Sequence, residues 1–321
     1  MDVQNVLTIK KHSSLQQRFP ETVTASNLAR KKANVLIYGQ QITPELVEQI
    51  AACACEELAV VAAWKVGSYD ALLIGNDFSE TLKQAVIHYQ LDIACTNDLP
   101  DLSEPGLVVM DMDSTAIQIE CIDEIAVLAG VGEQVAEVTE RAMLGELDFE
   151  QSLRQRVAAL AGADEAILET VRSTLPLTPE LRELVATLAH YGWKAAIVSG
   201  GFTYFSDYLK QELNLLYAQS NTLEIVEGKL TGQVVGDVVD AKEKANILRE
   251  LAELNEIELH NTVAVGDGAN DLLMIKAAGL GVAYHAKPKV EAEAPASVRY
   301  ADLGAVMCIL SASLVPQGIG W

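Results

Sequence analysis

Four short apolar runs constrain the fold of this chain more than any other feature of its sequence. They are 107–110 (LVVM), 195–198 (AAIV), 262–265 (TVAV) and 280–284 (LGVAY). Uninterrupted runs of this kind are typical of strands that are buried on both faces of a parallel sheet. Helical periodicity separates the last three runs, as the crossover connections of such a sheet require. The pattern therefore predicts an α/β fold with a doubly wound parallel sheet.

Polar turns follow the first three of these runs directly. The first run leads into Asp111 and Asp113, the second into Ser199-Gly200-Gly201, and the third into the acidic sequence GDGAND at 266–271. Ligands bind at the carboxyl ends of the strands in sheets of this type. One polar turn is commonplace at a strand end, but the combination of these turns predicts an active site at one edge of the sheet.

Asp111 and Asp113 have the spacing of a catalytic pair. Side chains two residues apart on an extended strand face the same way, roughly 6.6 Å apart, which leaves room for one reacting group. One carboxylate can attack while the other handles a proton. Asp267 would add a third carboxylate, and hard oxygen ligands without a nearby histidine favour Mg²⁺ over zinc. Each acid taken alone is also explained as a solvated loop residue.

Ser199 and Gly200 suit an oxyanion, because a hydroxyl and exposed backbone N–H groups at a strand-to-helix turn can hold phosphate oxygens. Lys244 lies at the predicted start of a helix, in the sequence AKEKANIL at 241–248. A lysine there could reach the same phosphate as a point charge. Taken alone, the glycines are equally explained by a tight turn, and the lysine by a solvated surface position.

Together, DMDST, VSGG, Lys244 and VGDGAND resemble the four ordered motifs of the haloacid dehalogenase superfamily. Residues 106–290 are similar, more narrowly, to the phosphoserine phosphatase family. The resemblance implies that Asp111 is the nucleophile, that Asp113 is the general acid and base, and that a phospho-aspartyl intermediate forms. It implies a Mg²⁺ ion held by Asp111, Asp267 and the main-chain carbonyl of Asp113. The remaining implied roles are phosphoryl binding by Ser199, Gly200 and Lys244, support of the phosphate side by Asn270, and orientation of metal-bound water or Lys244 by Asp271.

Substrate choice is expected to come from residues 118–190, which have helical periodicity and resemble the helical cap of this family. The resemblance places Glu120, Met143, Phe149 and Arg156 in the substrate pocket. Arg156 could grip a carboxylate bidentately while Glu120 pairs with an ammonium, and the two apolar side chains would exclude water. This implies hydrolysis of O-phospho-L-serine to L-serine, the last step of serine biosynthesis. Another phosphatase or phosphotransferase of the superfamily, for example one acting on phosphothreonine, is the alternative.

A separate domain is predicted for residues 1–98. Predicted strands at 34–38, 58–66, 69–75 and 91–95, with helices after Thr43-Pro44 and near Ser79, give a β-α-β-β-α-β order. This order is typical of small ferredoxin-like α+β domains and resembles modules of ACT type. The polar stretch 96–106 is predicted to link it to the phosphatase domain at 106–321. Two roles are considered for this domain, regulation of the enzyme and assembly of a homodimer. For the whole chain, the alternative class of function is a serine-binding regulatory protein.

The net charge of −22, from 23 basic and 45 acidic residues, excludes nucleic acid and anionic membranes as partners. The amino terminus lacks the apolar segment of a signal peptide. Residues 303–321 carry no charge, but glycines and a proline interrupt them, so we do not expect a membrane helix. The sequence thus predicts a cytoplasmic enzyme with a small-molecule substrate.

Overall fold

The structure, a computed structural model, describes residues 6–317, whose strands form two sheets. The first, here called the N-terminal sheet, is antiparallel with the strand order β1-β3-β4-β2-β5. Its strands are β1 (Ile9–Lys10), β2 (Val35–Gly39), β3 (Val60–Val66), β4 (Tyr69–Ile74) and β5 (Asp92–Cys95). The helices of this part are α1 (Ser13–Arg18), α2 (Glu21–Thr24), α3 (Asn27–Lys32), α4 (Pro44–Ala54) and α5 (Glu80–His88).

The predicted β-α-β-β-α-β order is confirmed by β2, α4, β3, β4, α5 and β5, with element ends within three residues of the predicted ones. The helix start at Thr43 forms as expected, because the Thr43 hydroxyl accepts a hydrogen bond from the Leu46 N–H at 3.2 Å. Strand β1 and helices α1 to α3 were not predicted. They are short elements of two to six residues, too short for a periodic pattern to emerge.

Both faces of the N-terminal sheet are buried. Along β2, Val35 and Ile37 pack in a core with α4 and α5, whereas Leu36 and Tyr38 belong to the larger core of the molecule. Antiparallel sheets often leave one face in water and then show polar residues at alternate positions. This sheet has no solvated face, which explains why its strands read as continuous apolar runs.

The second sheet, here called the main sheet, has seven strands in the order β12-β11-β10-β6-β7-β8-β9. All neighbouring strands are parallel except β8 and β9, which form an antiparallel hairpin. The four predicted strands are confirmed as β6, β7, β10 and β11. The strands are β6 (Leu107–Met110), β7 (Lys194–Phe202), β8 (Tyr217–Val226), β9 (Lys229–Val235), β10 (Thr262–Gly266), β11 (Leu280–Tyr284) and β12 (Ala296–Val298).

Helices cover both faces of the main sheet, which makes it doubly wound as predicted. Residues of α12 and α13 pack in one core with alternate residues of β6 and β7, and residues of α10, α11 and α15 pack against the other face. The helices are α6 (Cys121–Leu128), α7 (Gly132–Met143), α8 (Phe149–Ala159), α9 (Ala166–Ser173), α10 (Leu181–His190), α11 (Thr203–Leu213), α12 (Ala241–Leu254), α13 (Leu272–Ala277), α14 (Pro288–Glu293) and α15 (Ala305–Ser311).

The long helical segment predicted between the first two strands contains five helices. Helices α6 to α9, here called the helical insertion, pack largely on one another, whereas α10 packs against β7 and α15. The chain enters and leaves the insertion through two paired segments. Ile117 forms an antiparallel bridge with Leu177, and the Thr178 N–H donates to the Ala116 carbonyl at 3.0 Å.

The hairpin of β8 and β9 was not predicted. Strand β8 contains four consecutive polar residues at 219–222 and both strands have mixed burial. The hairpin turns through Glu227 and Gly228, which both have positive φ angles (48° and 73°). The hairpin supports the insertion, since the Gly162 N–H donates to the Leu230 carbonyl at 2.8 Å and Lys229 pairs with Asp164 at 3.0 Å.

Within the uncharged stretch 303–321, of which 318–321 lie outside the described residues, Ala305–Ser311 form α15, whose seven residues are all buried. A helix that is apolar all round belongs in an interior. Here α15 packs against β2, β3 and β4 on one side and contacts α10 on the other. Among residues 6–317, none of the helices has the length and hydropathy needed to cross a membrane.

Candidate active site

The loops after β6, β7 and β10 meet at one edge of the main sheet, beneath the helical insertion. These loops and the helical insertion together line a cavity of about 260 Å³. Ten of the twelve residues predicted for the site line this cavity. They are Asp111, Asp113, Glu120, Met143, Phe149, Arg156, Ser199, Gly200, Asp267 and Asn270. Lys244 and Asp271 lie buried behind it.

Asp111 is fixed from three directions. Its N–H donates to the Val265 carbonyl at 2.9 Å, which ties it to β10, and its Oδ1 accepts from the Met112 N–H at 2.7 Å. Its Oδ2 lies 2.8 Å from Nζ of Lys244. A buried carboxylate held in this way has one fixed orientation toward the cavity, as in-line attack on a bound group requires.

Lys244 has no exposed surface and contacts two carboxylates. It lies in the first turn of α12, and its Nζ is 2.8 Å from Asp111 and 2.8 Å from Asp271. Burial lowers the pKa of Lys244, but the two carboxylates outweigh it and hold the pKa above its ordinary value. Lys244 is therefore charged and holds Asp111 in place, while its contact with a phosphoryl group stays a prediction.

Asp113 has a different environment from Asp111. It lies in a tight loop in which Ser114 has a φ of 57°, and its Oδ1 accepts from the Cys121 N–H at 3.2 Å. A β-carbon added at Gly201 would lie 2.5 Å from its Oδ2. Burial, followed by the charges of Glu120 and Asp111, raises the pKa of Asp113 to about 8. A carboxyl group that keeps its proton at neutral pH suits a general acid.

Three carboxylates could hold a metal ion, since oxygens of Asp111, Asp267 and Asp271 lie within 4.8 Å of one another. Burial and then the charge of Asp111 raise the pKa of Asp267 to about 6. Asp271 already uses both oxygens, one with Lys244 and one accepting from the Gly268 N–H at 3.0 Å. Both oxygens of Asp111 also have a partner, but Asp111 and Asp267 line the cavity whereas Asp271 does not. Crowded hard donors of like charge at this place fit a divalent cation.

The glycines of the second loop allow a close approach of the helical insertion. A β-carbon at Gly200 would lie 2.6 Å from the ring of Phe149. The Gly201 N–H donates to the Ser199 hydroxyl at 3.0 Å, and Asn221 of β8 donates its side-chain N–H to the Gly200 carbonyl at 2.8 Å. Asn221 thus fixes this loop. The sequence did not predict it, because one asparagine within a run of polar residues carries no distinguishing signal.

The insertion brings opposite charges to the roof of the cavity. Oε1 of Glu120 accepts from the Ser114 hydroxyl at 2.8 Å. Arg156 on α8 is partly buried, and its Nε has no hydrogen-bond partner among residues 6–317. Burial lowers the pKa of Arg156, while Asp123 and Glu120 oppose the change. Met143 is 72% exposed at the mouth, so a bound molecule or a closer insertion could cover it.

Two further charged residues line the cavity and were missed by sequence reasoning. Asp123 lies one helical turn beyond Glu120, at a spacing of three residues that puts both on one face of α6. Lys287 follows β11, and its N–H donates to the Asp267 carbonyl at 3.3 Å. The spacing would have identified Asp123. The end of a fourth parallel strand would have pointed to Lys287.

Family comparison agrees with this geometry. A family model described as haloacid dehalogenase-like hydrolase matches residues 105–279, more than half of the chain. The fold and the site therefore define a haloacid dehalogenase-like hydrolase. A second family model, described as a domain of unknown function (DUF5609), matches residues 31–95 in the N-terminal sheet.

Individual similar proteins show which family of haloacid dehalogenase-like hydrolases the chain belongs to. The phosphoserine phosphatase of Vibrio cholerae serotype O1 is 61% identical over 99% of this chain and 97% of its own length. A crystal structure of a probable phosphoserine phosphatase from Vibrio cholerae, in unliganded form, superposes with a TM-score of 0.92 at 61% identity, covering 99% of this chain and 98% of that one. A substrate-bound phosphoserine phosphatase gives a TM-score of 0.61 at 41% identity, covering 64% of this chain and 97% of that one. The chain belongs to the phosphoserine phosphatase family.

Proposed function

We propose that this protein hydrolyses O-phospho-L-serine to L-serine and phosphate, as the last step of serine biosynthesis in the cytoplasm. The observation that carries the proposal is the partly buried Nε of Arg156, which has no partner among residues 6–317 and lines the same cavity as Glu120. A free amino acid offers a carboxylate and an ammonium, which complement these two side chains. Asp111 and Asp113, at the floor of the cavity, face the phosphate end.

The residues support a two-step reaction. Asp111 attacks phosphorus in line, the bond from phosphorus to the serine oxygen breaks, and Asp113 gives its proton to that oxygen. Serine leaves, and the phosphoryl group stays on Asp111. Asp113, now ionised, takes a proton from a water molecule, whose oxygen attacks phosphorus and releases phosphate from Asp111. Asp113 regains its proton, so the cycle closes without another reactant.

We assign Mg²⁺ as the cation, held by the Asp111 and Asp267 carboxylates and the main-chain carbonyl of Asp113. When bound, the ion would offset the repulsion between an anionic nucleophile and an anionic phosphate. Asp271 keeps Lys244 oriented, and Ser199, Gly200 and Asn270 surround the phosphate. Once a bound substrate or a closer insertion covers Met143, it and Phe149 would exclude water from the reacting groups.

We also propose the domain division predicted from the sequence. Residues 1–98 form one domain, and the phosphatase domain follows at 106–321 with a cap at about 118–190. The alternative is another phosphatase or phosphotransferase of the superfamily. Its catalytic residues would be the same, so only the residues around Arg156 and Glu120 separate the two functions.

Phosphate release in the presence of Mg²⁺ tests the proposal, with O-phospho-L-serine, O-phospho-L-threonine and p-nitrophenyl phosphate as substrates. We expect kcat/KM to favour phosphoserine by about a hundredfold or more, or about 2.7 kcal/mol. Similar efficiency on all three substrates would keep the catalytic residues but contradict the substrate assignment. Hydrolysis of none of them would contradict the phosphatase assignment itself.

Arg156→Ala is the matching variant. We expect it to raise KM for phosphoserine at least tenfold, by roughly 1.4 kcal/mol, and to leave KM for p-nitrophenyl phosphate nearly unchanged, because only the amino acid has a carboxylate. Arg154→Ala is the control, since Arg154 lies on the same helix, points outward and pairs with Glu150 at 2.7 Å. Equal effects of the two variants would contradict the assignment of Arg156.

A further inference from the structure

The two segments that carry the helical insertion, here called the hinge, are residues 115–118 and 176–178. They pair through the antiparallel bridge between Ile117 and Leu177. In addition, the Gln118 N–H donates a hydrogen bond to the Pro176 carbonyl at 3.0 Å. The Thr178 hydroxyl also donates to the Thr115 carbonyl at 2.6 Å. Because the first segment continues directly from the loop of Asp113, a change in the hinge alters how the insertion meets the catalytic residues.

Glu180 follows the hinge and has an unusual backbone conformation. Its φ is 63°, in the left-handed region that residues other than glycine adopt only when their surroundings hold them there. It precedes α10, but its side chain makes no capping bond to that helix. Instead the carboxylate accepts from the Gly304 N–H, and it lies so close that a β-carbon at residue 304 would collide with it.

The second donor to Glu180 comes from the N-terminal sheet. Tyr69 begins β4 and is 2% exposed, and its hydroxyl donates to Oε2 of Glu180 at 2.8 Å. The same hydroxyl accepts from the Asp302 N–H at 3.1 Å. The neighbouring Leu303 N–H donates to the Pro179 carbonyl at 3.4 Å. Residues 179 and 180 are therefore held between β4 and the segment 302–304.

We propose that Tyr69 is a positioning residue for catalysis, because its hydroxyl fixes Glu180 and thereby the hinge of the helical insertion. The N-terminal sheet would then set the position of Glu120 and Arg156 over the phosphate site. Without the hydroxyl, the Glu180 carboxylate loses a hydrogen-bond donor and the Asp302 N–H loses its acceptor. Both groups are partly buried, so the loss is costly. The left-handed conformation at Glu180 then loses support, and the hinge opens more often. The kinetic consequence rests on the proposed function.

Hydrogen exchange of the full-length protein tests the structural half directly. In Tyr69→Phe we expect the hinge amides of Gln118 and Thr178 to exchange about threefold to tenfold faster than in the wild type. Tyr300→Phe is the matched control. It removes a tyrosine hydroxyl that bonds the Ile87 carbonyl at 3.0 Å across the same boundary, without touching Glu180. Unchanged hinge exchange in Tyr69→Phe, or an equal rise in Tyr300→Phe, overturns the proposal.

Kinetics test the catalytic half. We expect Tyr69→Phe to raise KM for O-phospho-L-serine about threefold to tenfold and to change turnover of p-nitrophenyl phosphate less than about twofold, because only the first substrate has the carboxylate and ammonium that complement Arg156 and Glu120. Faster hinge exchange with an unchanged KM would overturn the claim that Tyr69 acts on the reaction. The exchange comparison uses no substrate, so a wild-type protein inactive on phosphoserine would contradict the proposed function and leave the exchange result valid.

Substitutions of Glu180 complete the test. Glu180→Gln keeps an oxygen that can accept from Tyr69 and Gly304, so we expect near wild-type hinge exchange and KM. Glu180→Ala should raise hinge exchange and KM as Tyr69→Phe does. The double variant should show little further increase, because the two residues are partners in one contact. Additive effects of the two substitutions on hinge exchange would overturn the proposed link.

Discussion

Two carboxylates that leave the same strand end have different environments. Asp111 lies 2.8 Å from the charged Lys244, whereas Asp113 is near Glu120, and its pKa is raised to about 8. Burial and neighbouring anions favour the protonated form of a carboxyl group such as Asp113. The local charges therefore support the proposed roles of Asp111 as nucleophile and Asp113 as acid, independently of any relative.

Lys244 is expected to be needed for folding stability as well as for activity. Lys244→Met leaves Asp111 and Asp271 buried without their cation, which typically costs about 3–5 kcal/mol. Urea unfolding of the metal-free protein should show this loss. Lys242→Met is the control, since Lys242 is exposed on the same helix. A stability of Lys244→Met equal to that of the control would contradict the account of the buried ion pairs.

Metal affinity should depend on pH through Asp267. In the metal-free protein the pKa of Asp267 is raised from its ordinary value to about 6, and a protonated carboxyl is a poor ligand. As the pH falls through 6, protons compete with the ion and the affinity decreases. As it rises above 6, the affinity increases toward a plateau. Titration with Mg²⁺ from pH 5 to pH 8 measures this, and a constant affinity would contradict the assignment of Asp267.

At the residue scale, the sequence predicted those side chains that belong to ordered motifs at strand ends. It missed Asn221, whose side chain joins the Gly200 carbonyl to the Val239 N–H, because a single asparagine within a strand belongs to no motif. It also missed Lys287, which follows β11 and lines the cavity. It also did not predict that Lys244 would lie behind the cavity with no exposed surface. Burial of that kind depends on how α12 packs against the sheet, which one residue type cannot reveal.

At the scale of elements, strands of four or more residues that are buried on both faces were predictable, whereas the three-residue strand β12 and the hairpin of β8 and β9 were not. Strands β6 and β11 have the predicted bounds, because every residue in them is apolar and buried. The hairpin of β8 and β9 has mixed burial and contains runs of polar residues, so it lacks the apolar signal of a buried strand. Its position under α8 depends on tertiary contacts such as the Gly162 N–H to the Leu230 carbonyl.

The contact between the insertion and β7 predicts the effect of a small substitution. Gly200→Ala would place a β-carbon 2.6 Å from the Phe149 ring, so the ring or the helix that carries it has to shift. Overpacking of this kind costs about 1–3 kcal/mol, and we expect kcat/KM for phosphoserine to fall about tenfold or more. Gly132→Ala on α7 is the control, because its β-carbon would make an ordinary contact of 3.5 Å. Equal activities of the two variants would contradict this packing.

At the scale of the whole molecule, α15 and Asp92 join the N-terminal sheet to the rest. The carboxylate of Asp92, at the start of β5, accepts from the backbone N–H groups of Arg299 at 2.8 Å, Tyr300 at 3.2 Å and Ala301 at 2.9 Å. The burial of α15 could not be predicted from sequence alone, because it requires two surfaces that are distant in the chain, the N-terminal sheet and α10. Homodimer assembly stays a prediction.

Asp92→Ala should test how strongly the two parts are joined. It leaves three backbone N–H groups without their charged acceptor in a buried place, and hydrogen bonds to charged groups contribute about 1.5–3 kcal/mol each at most. We expect a Tm lower by several degrees, measured by calorimetry. Asp77→Ala, at an exposed position in the same part of the chain, should leave the Tm unchanged. A wild-type Tm for Asp92→Ala would contradict the joining role.

The central claim is that Asp111 carries the phosphoryl group during hydrolysis of O-phospho-L-serine. The most direct test is to mix the enzyme with this substrate and Mg²⁺, stop the reaction in acid within its first turnovers, and analyse the peptides by mass spectrometry. We predict one added phosphoryl group on the peptide containing Asp111, and none in Asp111→Asn, which should also lose turnover while remaining folded. Phosphate release without that modified peptide, or turnover retained by Asp111→Asn, would contradict the account.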